Sequence, residues 1–389
     1  MSRYNFVASD STYELAWDRA REFYNEGRYS EALVIYLELL SHGLDSDLAY
    51  EAGSCYYYLK EYSKAIPLLE NSVQLNDRRF IAFTTLANCY QNTNNPRKAI
   101  YNFTRARGLK PDDANSCLNL GKLYSTVNMD FESSYFYNKY LQYAKDKKVE
   151  NYRTVSSSLN NSRTNADRFA NNASRAYFRK DYNSARDNYL LALNSYPISY
   201  NTNLNLARVY HDMNNHHEAI KYFTRALFLD NKDRKLYMHI AAEYSYMRDY
   251  TRAYCYLKRY INTLIANPNQ AEYLNAVRNL NSFEPHIKKE LIKEPLHQLE
   301  NNKYFDAMLE YENILILDDD NSDAKIQFQF YEGLSTPENS LSKLYNKTGN
   351  ELLHAGKFKE ANKFFTRVME ISQQNSDEYR FAKAKLTNV

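Results

Sequence analysis

The sequence predicts an all-α chain in which helix–turn–helix repeats, about nine of them, stack into a right-handed solenoid. Three observations carry this. The first is a shortage of punctuation: 389 residues hold eight glycines and eight prolines, where average usage would give roughly 27 and 19. That composition excludes collagen-like chains, turn-rich β-sandwiches and Gly-rich nucleotide enzymes, and favours helices joined by short turns. The second is self-similarity. Leu86-Ala87-x-x-Tyr90-x-x-x-Asn94-Asn95-x-x-x-Ala99-Ile100-x-x-Phe103-Thr104-Arg105-Ala106 returns as Leu206-Ala207-x-x-Tyr210-x-x-x-Asn214-Asn215-x-x-x-Ala219-Ile220-x-x-Phe223-Thr224-Arg225-Ala226. Its ending recurs as Phe365-Thr366-Arg367-Val368. The third is the i, i+3, i+4 apolar spacing of paired amphipathic helices.

Each repeat reads as a first helix, a short polar turn and a second helix. A small residue stands in the first helix: Ala20, Gly53, Ala87, Gly121, Ala173, Ala207, Ala241 or Gly349. Three positions on comes Phe23, Tyr56, Tyr90, Tyr124, Tyr210, Tyr244 or Leu352. Twelve positions after the first small residue is a second one: Ala32, Ala65, Ala99, Ala185, Ala219, Ala253 or Ala361. Four further on is a large one: Tyr36, Leu69, Phe103, Tyr189, Phe223, Leu257 or Phe365. Antiparallel helices approach closely only where neither carries bulk, and the large side chains fill the space one turn away. A single pair cannot bury its own face, so neighbours must stack. Tyr29, Tyr62, Tyr182, Tyr250, Tyr304 and Phe358 are expected to open second helices and seal the turns.

In order along the chain, residues 1–12 read as an N-terminal arm. Four repeats fill 13–144, beginning near Tyr13, Ser46, Phe80 and Ala114, and the fourth is read with one extra residue in its turn, around Met129 to Ser134. Residues 145–165, rich in Lys, Ser and Asn, shift the phase and read as an extended helix end with a linker. Three repeats fill 166–265, from Ala166, Tyr200 and Arg234. The stretch 266–287, with Pro268 and Pro285, reads as one extra helix. Residues 288–389 hold two further repeats from Lys288 and Ser342, an irregular junction containing Gly333 and Pro337, and a cap helix near Asp377 to Lys385. Pro295, at the first small position of the eighth repeat, points to a short or displaced first helix there.

The small, aromatic, small, aromatic spacing resembles the tetratricopeptide repeat, a unit of 34 residues, and two repeats carry its closing proline, Pro111 and Pro197. The resemblance implies a concave groove lined by the first helices, used to hold a protein or an extended peptide. A residue two before the first small one points about 200° away from it, out of the helix pair and toward that groove. Asn119, Asn171 and Asn205 stand there in three successive repeats, followed by His239, and Lys122, Arg208 and Lys235 extend the stripe. An amide both donates and accepts, so such a ladder can pair with a peptide backbone whatever its side chains. It is similar to the asparagine ladder of O-GlcNAc transferase, although one residue in about nine here is Asn and a solvated face is the competing reading. Of the carboxylate clamp that holds chaperone tails, Asn205 and Lys235 match; His239 replaces an Arg, and Ala170 and Ser174 replace a Lys and an Asn. At the N-terminal end, Trp17, Tyr24 and Tyr57 lie at or beside groove positions, with Tyr50 and Tyr58 near them, and form either an aromatic platform or inter-repeat packing.

Chemistry is expected nowhere else. Net charge is +3, without the concentrated basic footprint that phosphate backbones require, so nucleic acid is disfavoured. Cys55, Cys89, Cys117 and Cys255 form no CxxC pair and fall on helical core positions. His211, His216 and His217 cluster at a turn, but no adjacent Cys or acidic residue completes a zinc-ligand spacing, so no metal and no cofactor are expected. Asp318-Asp319-Asp320 lacks an EF-hand spacing. No nucleophile-elbow, metalloprotease, P-loop or dinucleotide motif occurs, and no repeat-free segment has the roughly 100 residues of a catalytic domain. No apolar core follows Met1, and no run reaches the roughly 18 apolar residues of a membrane helix; a soluble cytoplasmic protein is the expectation. The function expected is a non-catalytic interaction scaffold or adaptor, alone or as a subunit of a larger complex, taking no small-molecule substrate. The alternatives are a secretion or assembly chaperone and a helical-repeat RNA-binding protein.

Overall fold

The structure, a computed structural model, describes residues 10–144, 150–230, 232–265, 271–287, 304–318, 321–334, 341–372 and 377–387. Among them are twenty α-helices and one 3-10 turn, and no strand. Most of the arm, Pro268, Pro295 and Pro337 lie outside the described residues. The chain divides into two compact units, Met1–Lys145 and Asp146–Val389.

The first unit is a run of four helix pairs: α1 (Asp10–Asn25) with α2 (Tyr29–Ser41), α3 (Ser46–Tyr58) with α4 (Tyr62–Leu75), α5 (Phe80–Asn92) with α6 (Pro96–Leu109), and α7 (Ala114–Thr126) with α8 (Asp130–Tyr143). Each helix packs on the next along the chain. The small residues are where the helices touch. Ala20, Ala32, Ala65, Ala87 and Ala99 have no exposed surface. A methyl built on Gly53 would meet Leu69 Cγ at 2.8 Å, so the large residue sixteen positions on lies directly against the small one.

The fourth repeat corrects one expectation. Its turn, Val127 to Met129, has the same length as Thr93 to Asn95 in the third; there is no extra residue. Ser133 is its second small residue, twelve after Gly121, and its buried hydroxyl donates to the Gly121 carbonyl at 2.9 Å. The hydroxyl finds that partner inside the helix pair, so a polar residue can stand where the other repeats have Ala.

All the turns within described repeats are built alike. The seventh residue after the first small one has positive φ: Gly27, Lys60, Asn94, Asn128, Lys180, Asn214, Arg248 and Gly356, between 56° and 78°. The following amide donates back across the turn, as Glu61 N does to Tyr56 O (2.9 Å) and Asp181 N to Ala176 O (3.0 Å). Lys60 N bonds Tyr57 O at 3.0 Å. These paired bonds are a Schellman end to the first helix. The next residue then begins the second helix, with Asn95, Asp181, Asn215 and Asp249 accepting from backbone amides of the first turn, which satisfies donors the helix start leaves open. Glycine occupies the left-handed position only in the first and last of these turns. Among the described prolines, Pro67 departs from the turn-and-boundary pattern: it lies inside α4, where it removes a helix hydrogen bond.

The second unit opens with α9 (Glu150–Phe178), a single helix of 29 residues, against which α10 (Tyr182–Ser195) packs. Then follow α11 (Tyr200–Asp212) with α12 (His216–Leu229) and α13 (Lys235–Tyr246) with α14 (Tyr250–Leu264). The extra helix α15 (Ala271–Phe283) packs on α14 and ends in a 3-10 turn at Glu284–His286. The remainder comprises α16 (Tyr304–Leu317), α17 (Ser322–Leu334), α18 (Leu341–His354), α19 (Phe358–Ile371) and α20 (Asp377–Thr387). Here neighbour-on-neighbour stacking gives way to branching, because α14 touches α16 as well as α13 and α15. Arg259 on α14 and Glu312 on α16 form an ion pair with side chains 2% and 3% exposed. Arg259 Nη2 also donates to Leu309 O at 2.6 Å, and Tyr345 on α18 donates its hydroxyl to Glu312. These added hydrogen bonds help make a buried pair tolerable, although Arg259 Nη1 has no hydrogen-bond partner among the described residues.

Candidate functional site

In the first unit, Trp17, Tyr24 and Tyr57 take two different roles. Trp17 donates its indole N–H to Glu51, which also pairs with Arg21 at 3.0 Å, while the Arg21 guanidinium lies 4.7 Å over the indole. This cluster ties α1 to α3. Tyr24 and Tyr57 belong instead to a tyrosine cluster at the turns. Tyr24 meets Tyr29 edge-on at 5.3 Å, Tyr29 stacks on Tyr58 at 4.6 Å, and Tyr57 contacts Tyr58 and Tyr62 at 5.3 and 5.8 Å. Tyr58 is half exposed. Burial, reinforced by the Tyr50 and Tyr58 hydroxyls, raises the Tyr24 phenol above its ordinary pKa. The Tyr50 ring also lies under Arg79, at 4.9 Å. Asn119 on α7 is half-buried, with Lys122 exposed one turn on.

In the second unit, Asn205, Arg208 and His239 come together. Arg208 Nη1 donates to Asn205 Oδ1 at 3.4 Å. His239 lies half-buried on α13 with its ring stacked 5.2 Å from Phe223. Burial first, and the Arg208 charge next, hold its imidazole below the usual pKa. Lys235, exposed, stands one turn earlier on α13, and Asn171 is exposed on α9 at the position equivalent to Asn205. Asn119 and Lys122 thus belong to one unit and the other polar candidates to the second.

The turn edge carries a pattern absent from the groove-based expectation. Aromatic or imidazole pairs five residues apart straddle four turns: Tyr24 with Tyr29, Tyr57 with Tyr62, Tyr177 with Tyr182 and His211 with His216. In three of them the next repeat's first helix closes the pair, through Tyr58, Asp212 and Tyr246. Tyr177 donates to Asp212 Oδ2 at 2.7 Å, and Tyr246 stacks on His216 at 5.1 Å. The i, i+5 spacing was the available signal.

The histidines require a correction. His216 opens α12, His211 lies in the last turn of α11, and an acidic residue does join them. Glu243, on α13 in the next repeat and only 2% exposed, lies 2.7 Å from His211 Nδ1 through one carboxylate oxygen and 2.7 Å from His216 Nδ1 through the other. Glu243 is 27 residues from His216, so no local spacing announces it. His217 is exposed and outside the cluster.

Residues 200–233, spanning α11, α12 and the turn into α13, match the sequence model of the tetratricopeptide repeat. The sixth helix pair of the chain is a tetratricopeptide repeat. A relative of this repeat protein is the BBSome complex member BBS4 of Bos taurus, 23% identical over 256 residues; the match takes in 59% of the chain and spans about half of that relative's length, 47%. Among solved structures, the P58(IPK) TPR domain overlays with a TM-score of 0.35 at 14% identity, covering 89% of this chain and 99% of that one. The TPR2AB domain of yeast Sti1 in complex with pHSP90 overlays with a TM-score of 0.28 at 15% identity, covering 71% and 100%. Among the described residues of the repeat protein, no helix is long and apolar enough to cross a membrane.

Proposed function

We propose that this repeat protein is a non-catalytic scaffold or adaptor that holds an extended partner segment, as a subunit of a larger assembly. The observation that carries this reading is the gathering of Asn205, Arg208 and His239 from two successive repeats. Lys235 is exposed one turn from His239 on the same helix, and Asn171 is exposed at the equivalent position on α9. Such a set offers amide donors and acceptors for a peptide backbone, while Arg208 and Lys235 suit carboxylates. Tyr24, Tyr57 and Trp17 serve as a second contact surface through rigid aromatic rims, and Asn119 with Lys122 as a third. In this organisation residues 13–144 form a four-repeat block and 166–265 a three-repeat block, with 145–165 and 266–287 connecting and 288–389 closing the array. The bovine relative's name, a complex member, agrees with a subunit role.

The test is Asn171→Ala with Asn205→Ala, followed by crosslinking mass spectrometry of captured partners and their affinity by titration. Weaker binding with unchanged helical circular dichroism is expected. Unaltered affinity, with partner crosslinks mapping away from α9, α11 and α13, overturns the ladder.

A further inference from the structure

His211, His216 and Glu243 bring two imidazole nitrogens and a carboxylate to one point, with all three donor atoms within 4.8 Å of one another. Two features separate this cluster from an ordinary surface ion pair. Glu243 is buried, and no lysine or arginine among the described residues pairs with it. A buried carboxylate without a fixed cation is costly and calls for positive charge. Both histidines also aim the same nitrogen, Nδ1, at the carboxylate, so the three donors converge from a helix end, a helix start and the neighbouring repeat.

We propose that this cluster is a transition-metal site, of the zinc class, which staples the sixth repeat to the seventh. Two histidines and a glutamate form a recognised zinc ligand set with a fourth position left to water, and imidazole favours zinc, nickel and copper over magnesium or calcium. Two donors each about 2.0–2.1 Å from a tetrahedral ion stand about 3.3 Å apart. The ion takes one Glu243 oxygen, so the 2.7 Å contact to that oxygen opens by about half an ångström, while the other donor separations, all within 4.8 Å, adjust to the same spacing; the partly exposed His211 side chain has room for this. Coordination through Nδ1 places each imidazole proton on Nε2, so both rings remain neutral and the ion supplies the positive charge that Glu243 lacks. Tyr246 stacks on His216 and lies 5.7 Å from His211, holding the rings in place as a packed neighbour holds a ligand. His211 is one turn from Arg208, and Glu243 is one turn from His239. The ion would therefore fix the relative setting of the two helices that carry the recognition patch. The site itself stands independently of the proposed partner.

The experiment uses the full chain, stripped with a chelator that is then removed. Zinc chloride is titrated by calorimetry and thermal melting, with magnesium chloride alongside. One zinc per chain and a higher Tm are expected, with no response to magnesium. His211→Gln, at a partly exposed position that leaves the core intact, should weaken zinc binding at least about tenfold. Glu243→Gln should do the same, and His217→Gln should bind as the parent does. No zinc-induced rise in Tm, or zinc bound equally by parent and His211→Gln, overturns the proposal.

Discussion

Gly121 lies so close to Tyr137 that a methyl group added to it would meet ring carbon Cδ1 at 2.6 Å. The same relation joins Gly53 to Leu69 and Gly349 to Phe365, each pair sixteen residues apart. The first helix of a pair therefore uses its small residue as a seat for the large residue of the second.

Gly121→Ala follows directly. Alanine favours the helix by up to about 1 kcal/mol, while overpacking costs about 1–3 kcal/mol, so a net loss of about 1 kcal/mol is expected in thermal melts. Tyr137→Leu in the same chain should recover part of it, because a shorter side chain leaves room for the methyl. A Gly121→Ala variant melting at or above the parent temperature would show that the ring swings aside freely.

The left-handed turns predict the opposite sign. Lys60, Lys180 and Arg248 hold φ near +61°, a conformation that costs an L side chain about 1–2 kcal/mol. Glycine there carries no such strain but loses more entropy on folding. Lys60→Gly, Lys180→Gly and Arg248→Gly should each add about 0.5–1 kcal/mol of stability, read as a higher urea midpoint. Asn94→Gly and Asn214→Gly should gain less, because asparagine tolerates this region. Equal losses in all five would point to side-chain contacts that outweigh the strain.

The cysteines set an alkaline limit. Burial pushes the thiols of Cys55, Cys89 and Cys255 up to about 12, against about 8.5 in an unfolded chain. Between those values the folded protein binds more protons than the unfolded one, so stability falls as pH rises. It is fully present below about 8.5 and lost progressively through about 12. Urea midpoints at neutral pH and near pH 10.5 read this directly. At pH 8, Ellman's reagent should label the folded protein slowly and the urea-unfolded protein at once; rapid labelling of the folded state would contradict the burial.

Much of the fold was legible because its signal is local and repeated. Ala20, Gly53, Ala87 and their counterparts recur at fixed spacing since every pair solves the same close-approach problem. The left-handed turn position was not legible, because only Gly27 and Gly356 advertise it; Lys60 or Arg248 carry no mark of positive φ. Ser133 was misread as part of a longer turn for a related reason: a hydroxyl that bonds the Gly121 carbonyl looks polar in a sequence yet packs as a small residue. The candidate polar residues could be placed on helix faces, but the meeting of Arg208 with Asn205 and the stacking of His239 on Phe223 depend on how neighbouring repeats rotate.

The amino-acid sequence alone determined an all-helical repeat chain and the pairing of its helices, since these follow from side-chain volume and helical period within about 34 residues. Tertiary structure alone decided what meets across repeats. Glu243 joins His211 and His216, and Arg259 reaches Glu312 from 53 residues away, because such contacts are set by the rotation between stacked helices, for which no periodic spacing in the chain stands as a sign.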